Sequence, residues 1–220
     1  MHRNATIGAA LILSFGMLAA CNNNTTTETT TEETTADSAS PAPGENSEAV
    51  SAVQDAAAAA VGTASAELTT TTEGFVQAAA MSDMYEIEAG KIAAERAHSA
   101  EIKAFANEMV AAHTKTSATL KAKLAEGNVS VALPTELDAR HKGMIDNLTG
   151  AAPEDFDQRY TNQQVNAHEE AVILFRGYSE NGENAVLKAA AAETLPLIQQ
   201  HLEHIKNLDE ADVDQQAQPE

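Results

Sequence analysis

The sequence has no tryptophan, only three tyrosines and five phenylalanines, and a single cysteine, Cys21. One cysteine excludes an intramolecular disulfide and a thiolate metal cluster, so any folded domain must be held by packing. Cations are scarce: 13 Lys and Arg stand against 33 Asp and Glu, for a formal net charge of -20, and none falls between Arg3 and Lys91. Nucleic acid and anionic lipid headgroups are bound through clustered cations that displace counterions, so neither is an expected partner. Nucleophile elbows, Gly-rich phosphate loops and paired catalytic-carboxylate motifs are missing too. The apolar run over residues 7–20 is about fourteen residues long, short of the ~20 that cross a bilayer as a helix.

That run has another use. His2 and Arg3 precede it and Leu18-Ala19-Ala20-Cys21 ends it, the pattern of a bacterial lipoprotein signal over residues 1–20 whose cysteine is lipidated after cleavage. Cys21 is therefore the expected anchor to the membrane. Asn22 in place of an inner-membrane-retaining Asp favours the periplasmic face of the outer membrane. Residues 21–73 follow as a Thr-, Glu- and Ala-rich acidic tether without aromatic residues or cations, a composition that buries too little apolar surface to offset chain entropy. Within it, Ala56 to Ala60 in the stretch 48–68 favour at most a transient helix, because alanine propagates a helix but offers little apolar face to dock it.

From Gly74 onward the apolar residues recur at helical spacing and no segment reads as a strand. A first helix is expected over 75–96. A second starts near Ser99 as N-cap and stops at Gly127 as a left-handed C′ residue, with Ile102, Ala106, Met109, His113, Leu120 and Leu124 on one stripe. A short helix starts at Pro134, with Thr135 able to cap it and Asp138 to complete a capping box. Pro153 opens a long helix to about Ser179, closed by Asn181-Gly182. The last runs over 184–208 with Pro196 inside, where the hydrogen bond to the Ala192 carbonyl is lost and a kink is expected. The expected fold is all-α: an antiparallel four-helix bundle with one extra short helix over 74–210, followed by a disordered acidic tail over 211–220.

Phe75-Val76, Tyr85-Glu86-Ile87-Glu88-Ala89-Gly90-Lys91-Ile92-Ala93, Ile102-Lys103-Ala104-Phe105-Ala106, Met109-Val110 and His113-Thr114 occur in that order. Leu133-Pro134, Leu137-Asp138, His141, Phe156-Asp157, Tyr160, His168, Ala171-Val172, Leu174-Phe175, Thr194-Leu195-Pro196 and His201-Leu202 follow. As a set these resemble the bacterial ferritin-like domain of unknown function (DUF) 4142 family. The resemblance implies a ferritin-like bundle in an exported protein and no particular activity. Family members often carry Asp directly before the histidines matched by His113 and His168, where this chain has Ala112 and Ala167, so an imidazole-orienting role for those aspartates does not transfer.

A ferritin-type di-iron site needs a Glu from each of two helices and Glu-x-x-His from each of the other two. Glu95-Arg96-Ala97-His98 is the one such spacing in the bundle, at a helix end, so iron oxidation is disfavoured. A different set is of interest. At about 100° per residue, His113 and His201 fall mid-arc on their apolar stripes and His168 and His204 at the edge of theirs. Glu88 joins them if its helix buries Met81, Met84, Tyr85 and Ile92; a stripe through Ile87 and Ala94 turns it away. Two or three histidines with a carboxylate suit Zn, Cu, Ni or Fe, while a histidine on an apolar stripe also serves by donating to a carbonyl or carboxylate. His98 and His141 lack partners in an identifiable geometry, His141 reading as a lid residue, and Tyr85, Tyr160 and Tyr178 read as packing residues. The function expected first is a non-enzymatic, lipid-tethered periplasmic binding or stress-protection module. The alternative is a transition-metal-binding protein using His113, His168, His201 and Glu88.

Overall fold

The computed structural model describes residues 48–216. Cys21, the signal and residues 21–47 of the expected tether lie outside the described residues, as do the last four residues of the tail. Six helices make up the described chain: α1 (Glu48–Leu68), α2 (Thr72–Arg96), α3 (Ala100–Glu126), α4 (Ala139–Gly150), α5 (Phe156–Asn181) and α6 (Ala185–Gln216), with a 3-10 turn at Pro153–Asp155 leading into α5. Among the described residues there is no strand, and no helix is long and apolar enough to cross a membrane. The all-α expectation holds.

Side-chain caps fix most of the starts. Thr71 accepts from the Gly74 amide, Ser99 from Ile102, Asp138 from His141, and Asn184 Oδ1 from Val186 and Leu187, each such cap being worth about 1 kcal/mol. The short helix thus begins after Asp138 and not at Pro134, and Asp138, not Thr135, is its cap. At the end of α3 the expected left-handed Gly127 has φ -80°, and Asn128 takes the positive φ of 50° instead. With Val129 N–H on the Leu124 carbonyl and Asn128 N–H on that of Ala125, the turn is a Schellman motif with Asn at C′. Pro196 lies inside α6 without ending it, and the helix continues to Gln216, into the stretch expected as a tail.

Hydrogen bonds between helix ends fix the topology. Thr72 at the start of α2 meets Tyr178 near the end of α5, while Asp157 at the start of α5 accepts from the His98 and Ser99 amides at the end of α2. Asn184 before α6 donates to the Gly127 carbonyl after α3. So α2 and α5 are antiparallel, as are α3 and α6, and residues 128–155 must run the length of the bundle to join α3 to α5. Along that crossover, Asp138 touches Met81 and the last carbonyls of α4 accept from Arg96 at the far end of α2. One long crossover in a four-helix bundle is compatible with a ferritin-like arrangement.

The bundle interior is layered. At one end Tyr85, Ala89, Ala93, Ile102, Phe105, Met109, Leu148, Phe156, Tyr160 and Ile205 form a buried apolar cluster; at the other end Phe75, Val76, Ala79, Leu124, Leu174, Tyr178 and Leu187 form a second. Phe75 stacks on Tyr178 with centroids 4.0 Å apart. Fully burying each large side chain contributes on the order of 1.5–3 kcal/mol. On each of α2, α3, α5 and α6 the residues between these clusters include buried polar side chains: Asp83 and Glu86, His113, Gln164 and His168, and His201.

One expectation is overturned here. Residues 48–68, read as part of the tether, form α1, which packs on α5 and α4. Its docking face carries small residues, Ala58, Gly62 and Ala66, and a buried acid. Asp55 accepts from Arg159, Gln163 and Asn147, all at 2.8 Å and all buried, and Arg159 also reaches the Glu48 carboxylate. A search for an apolar stripe misses a helix seated through a buried carboxylate.

Candidate metal centre

Helical spacing builds the centre one turn at a time. Asp83 and Glu86 are three residues apart on α2, and Gln164 and His168 four apart on α5, so each pair shares a face. His113 from α3 and His201 from α6 complete the layer. The three imidazoles are buried, with ring centroids 5.6 to 6.0 Å apart, and one nitrogen from each lies within 4.8 Å of the others. An ion bound at 2.0–2.1 Å to each needs nitrogens roughly 3.4 Å apart, so side-chain rotations of about an ångström close the set.

The hydrogen bonds decide which nitrogens face inward. His168 Nδ1 lies 2.9 Å from the Gln164 backbone carbonyl, an acceptor only, so Nδ1 carries the proton. His113 Nδ1 lies 2.8 Å from Asp83 Oδ1, and the same carboxylate accepts from Thr116 and Ser117 hydroxyls. In the neutral rings Nε2 is then an unprotonated lone pair. The Nε2 atoms of His113 and His168 have no hydrogen-bond partner among the described residues, nor has either nitrogen of His201. Each neutral ring keeps one lone pair, so the three imidazoles offer three donor nitrogens, one per ring, close enough together to share a metal ion.

Electrostatics favour the neutral ligand form at two positions. Burial, then repulsion from His113, pushes His168 down to about 3, and burial with the charges of His113 and His204 pushes His201 down to about 4. Burial also opposes charge on His113, but its hydrogen bond to Asp83 and the charges of Glu86 and Asp83 outweigh that and raise its pKa. Burial drives the Glu86 carboxyl up to about 7, against the pull of His113 and the Gln164 side chain. The Glu86 carboxyl and the Gln164 amide thus face each other in the buried layer, and the Tyr160 hydroxyl has no hydrogen-bond partner among the described residues.

Three of the sequence candidates therefore meet, and the fourth does not. Glu88 is exposed, and the carboxylates that α2 buries beside His113 are Asp83 and Glu86. The buried face runs Val76, Ala79, Asp83, Glu86, Gly90 and Ala93, a three-and-four spacing present in the sequence and hidden by its two acids. Asp83 orients the His113 imidazole from the neighbouring helix. Outside the trio, His204 is half exposed and His98 exposed, and His141 is buried on α4 between Asp138 and Arg140. Tyr85 and Tyr178 place their hydroxyls on Gln163 and Thr72, as packing residues with a polar tip.

A protein-family model described as Domain of unknown function (DUF4142) matches residues 47–208, a span that takes in α1 as well as the bundle. No curated protein and no solved structure matches the chain.

Proposed function

The chain belongs to the DUF4142 family, and on that premise we propose that it is an exported, lipid-anchored protein whose bundle binds one divalent first-row transition-metal ion through His113, His168 and His201. The observation that carries the reading is the convergence of three buried imidazoles whose inward nitrogens have no other partner. An all-imidazole donor set without thiolate suits Zn, Cu, Ni or Fe over Ca or Mg. The buried carboxyl of Glu86 supplies countercharge to the dication, which a low-dielectric layer requires. Asp83 orients His113 as carboxylates orient metal-bound histidines generally.

The role is holding or delivering the ion, a binding function in the periplasm. Lipidation at Cys21 and the acidic stretch behind it, residues 22–47, would keep the bundle close to the outer membrane while letting it reach solutes and partners. A polar metal layer between two apolar clusters also contributes stability when loaded, because an ion that binds only the folded state shifts the folding equilibrium.

Metal titration of the full chain purified without a polyhistidine tag tests the function. One equivalent bound by the wild type and lost in His201→Ala is the expected result; less than about a tenth of an equivalent, unchanged by His201→Ala, removes the reading. Membrane fractionation of Cys21→Ala tests the anchor, and protein that still pellets with membranes contradicts it.

A further inference from the structure

Glu108 on α3 stands between solvent and the buried histidines. Its side chain is 44 % exposed; Oε1 lies 3.9 Å from Nε2 of His201, which is 3 % exposed, and Oε2 lies 3.5 Å from Nδ1 of His204, which is 46 % exposed. One carboxylate thus faces a buried imidazole with one oxygen and a solvent-exposed imidazole with the other. The 3.9 Å separation is too long for a hydrogen bond, and His201 Nε2 has no other partner among the described residues. Two donors that share an ion at about 2.1 Å each stand roughly 3 to 4 Å apart, so both separations match those of ligand atoms around a cation.

The wall of the centre holds this outer group in place. His204 lies one turn beyond His201 on α6, and its ring packs edge-on against Phe105 with centroids 5.2 Å apart. Phe105 is fully buried, with its centroid 6.2 Å from that of His168.

We propose that Glu108 and His204 form an outer cation site from which a divalent transition-metal ion is handed, through His201 Nε2, to the buried centre. This rests on the reading of His113, His168 and His201 as a metal centre. A hydrated dication is costly to bring into an apolar interior in one step. At the outer site it exchanges some of its waters for a carboxylate oxygen and an imidazole while still facing solvent, and the carboxylate cancels part of its charge. His201 then takes the place of a further water, and the ion passes inward as His113 and His168 replace Glu108 and His204. No bond to carbon changes and no electron moves. The strong net negative charge of the chain draws cations toward its surface, and local focusing by carboxylates raises association rates by 10- to 1,000-fold.

Stopped-flow uptake of Co(II) by the full chain, followed through the ligand-field bands of the bound ion, tests the proposal. Glu108→Gln and His204→Asn are expected to slow uptake by about tenfold or more and to leave the final stoichiometry and affinity of the buried centre within roughly twofold of wild type. Glu203→Gln, an exposed acid on the same helix, is expected to leave the rate unchanged. Both side chains are half exposed, so the fold should tolerate their loss, and an unchanged stoichiometry reports that it has. Uptake at the wild-type rate in both variants overturns the outer site while leaving the centre intact. Loss of affinity in step with the rate makes Glu108 a resident ligand and overturns the hand-over. A wild type that takes up no cobalt overturns the metal centre itself, and the outer site with it.

Discussion

His113 is oriented by Asp83, a residue from the neighbouring helix: Nδ1 and Oδ1 are 2.8 Å apart, and the carboxylate is itself held by Thr116 and Ser117. The donor nitrogen is thereby fixed as Nδ1 and the inward nitrogen left bare. Asp83→Ala should preserve the three imidazoles yet lower transition-metal affinity by about 10- to 100-fold, the usual effect of losing a histidine's carboxylate partner. Competition with a chelator of known affinity reads this directly, and an unchanged affinity contradicts the orienting role.

Acid should weaken the metal-free fold, and the sign follows from three groups. His168 and His201 sit near 3 and 4 in the folded chain against 6.5 unfolded, so from about 6.5 downward the unfolded chain takes up two protons that the native one refuses. Glu86, near 7 folded and 4.5 unfolded, works the other way between those values, because the native chain keeps its proton. His113, raised above 6.5, contributes with the same sign as Glu86, mainly above that window. Two histidines against one carboxyl leave a net loss of about 1–2 kcal/mol between pH 7 and 5. Urea unfolding of metal-free protein should show it, with a steeper loss in Glu86→Gln. Stability that is flat or rising on acidification contradicts the assignment.

Helix α1 is seated by a buried charge. Asp55→Ala leaves Arg159, almost fully buried, without its main partner, and breaking a buried pair in this way costs about 3–5 kcal/mol. Limited proteolysis should then cut within residues 48–68 before the bundle opens. Equal resistance in wild type and variant would mean that α1 is held by something else.

The α2–α3 pair depends on one missing side chain. A Cβ at Gly90 would lie 2.9 Å from the Ala106 carbonyl oxygen and 2.9 Å from Val110 Cγ2, and the carbonyl, as backbone, yields only if the helices separate. Gly90→Ala should destabilise the bundle by about 1–3 kcal/mol, although alanine is the better helix former. Thermal or urea unfolding checks it, and a neutral or stabilising change contradicts the close approach.

The helices and the histidine trio were legible in the sequence because their signals are strong ones: Ser99 as a cap, Asn181-Gly182 as a stop, and imidazoles at apolar spacing. Legibility failed where contrast failed. On α2 half of the buried residues are alanine or glycine, which leaves the phase of the helix open, and a stripe through Met81, Met84, Tyr85 and Ile92 puts Glu88 inside in place of Glu86, more than half a turn away. Asp83 gives no signal of its own, because an acid inside a stripe reads as polar surface until a partner from another helix is known. The α1 segment reads as tether because alanine runs give little apolar face, and its anchors, Asn147, Arg159 and Gln163, lie about a hundred residues away in sequence.

The central claim concerns which atoms hold the ion, and X-ray absorption at the metal edge of the loaded full chain measures that. A nearest shell of nitrogen and oxygen only is expected, near 2.0–2.1 Å, with the outer scattering of about three imidazoles, reduced in His113→Ala, His168→Ala and His201→Ala. A shell of water or carboxylate oxygen without imidazole scattering, or one unaltered by these substitutions, would contradict it.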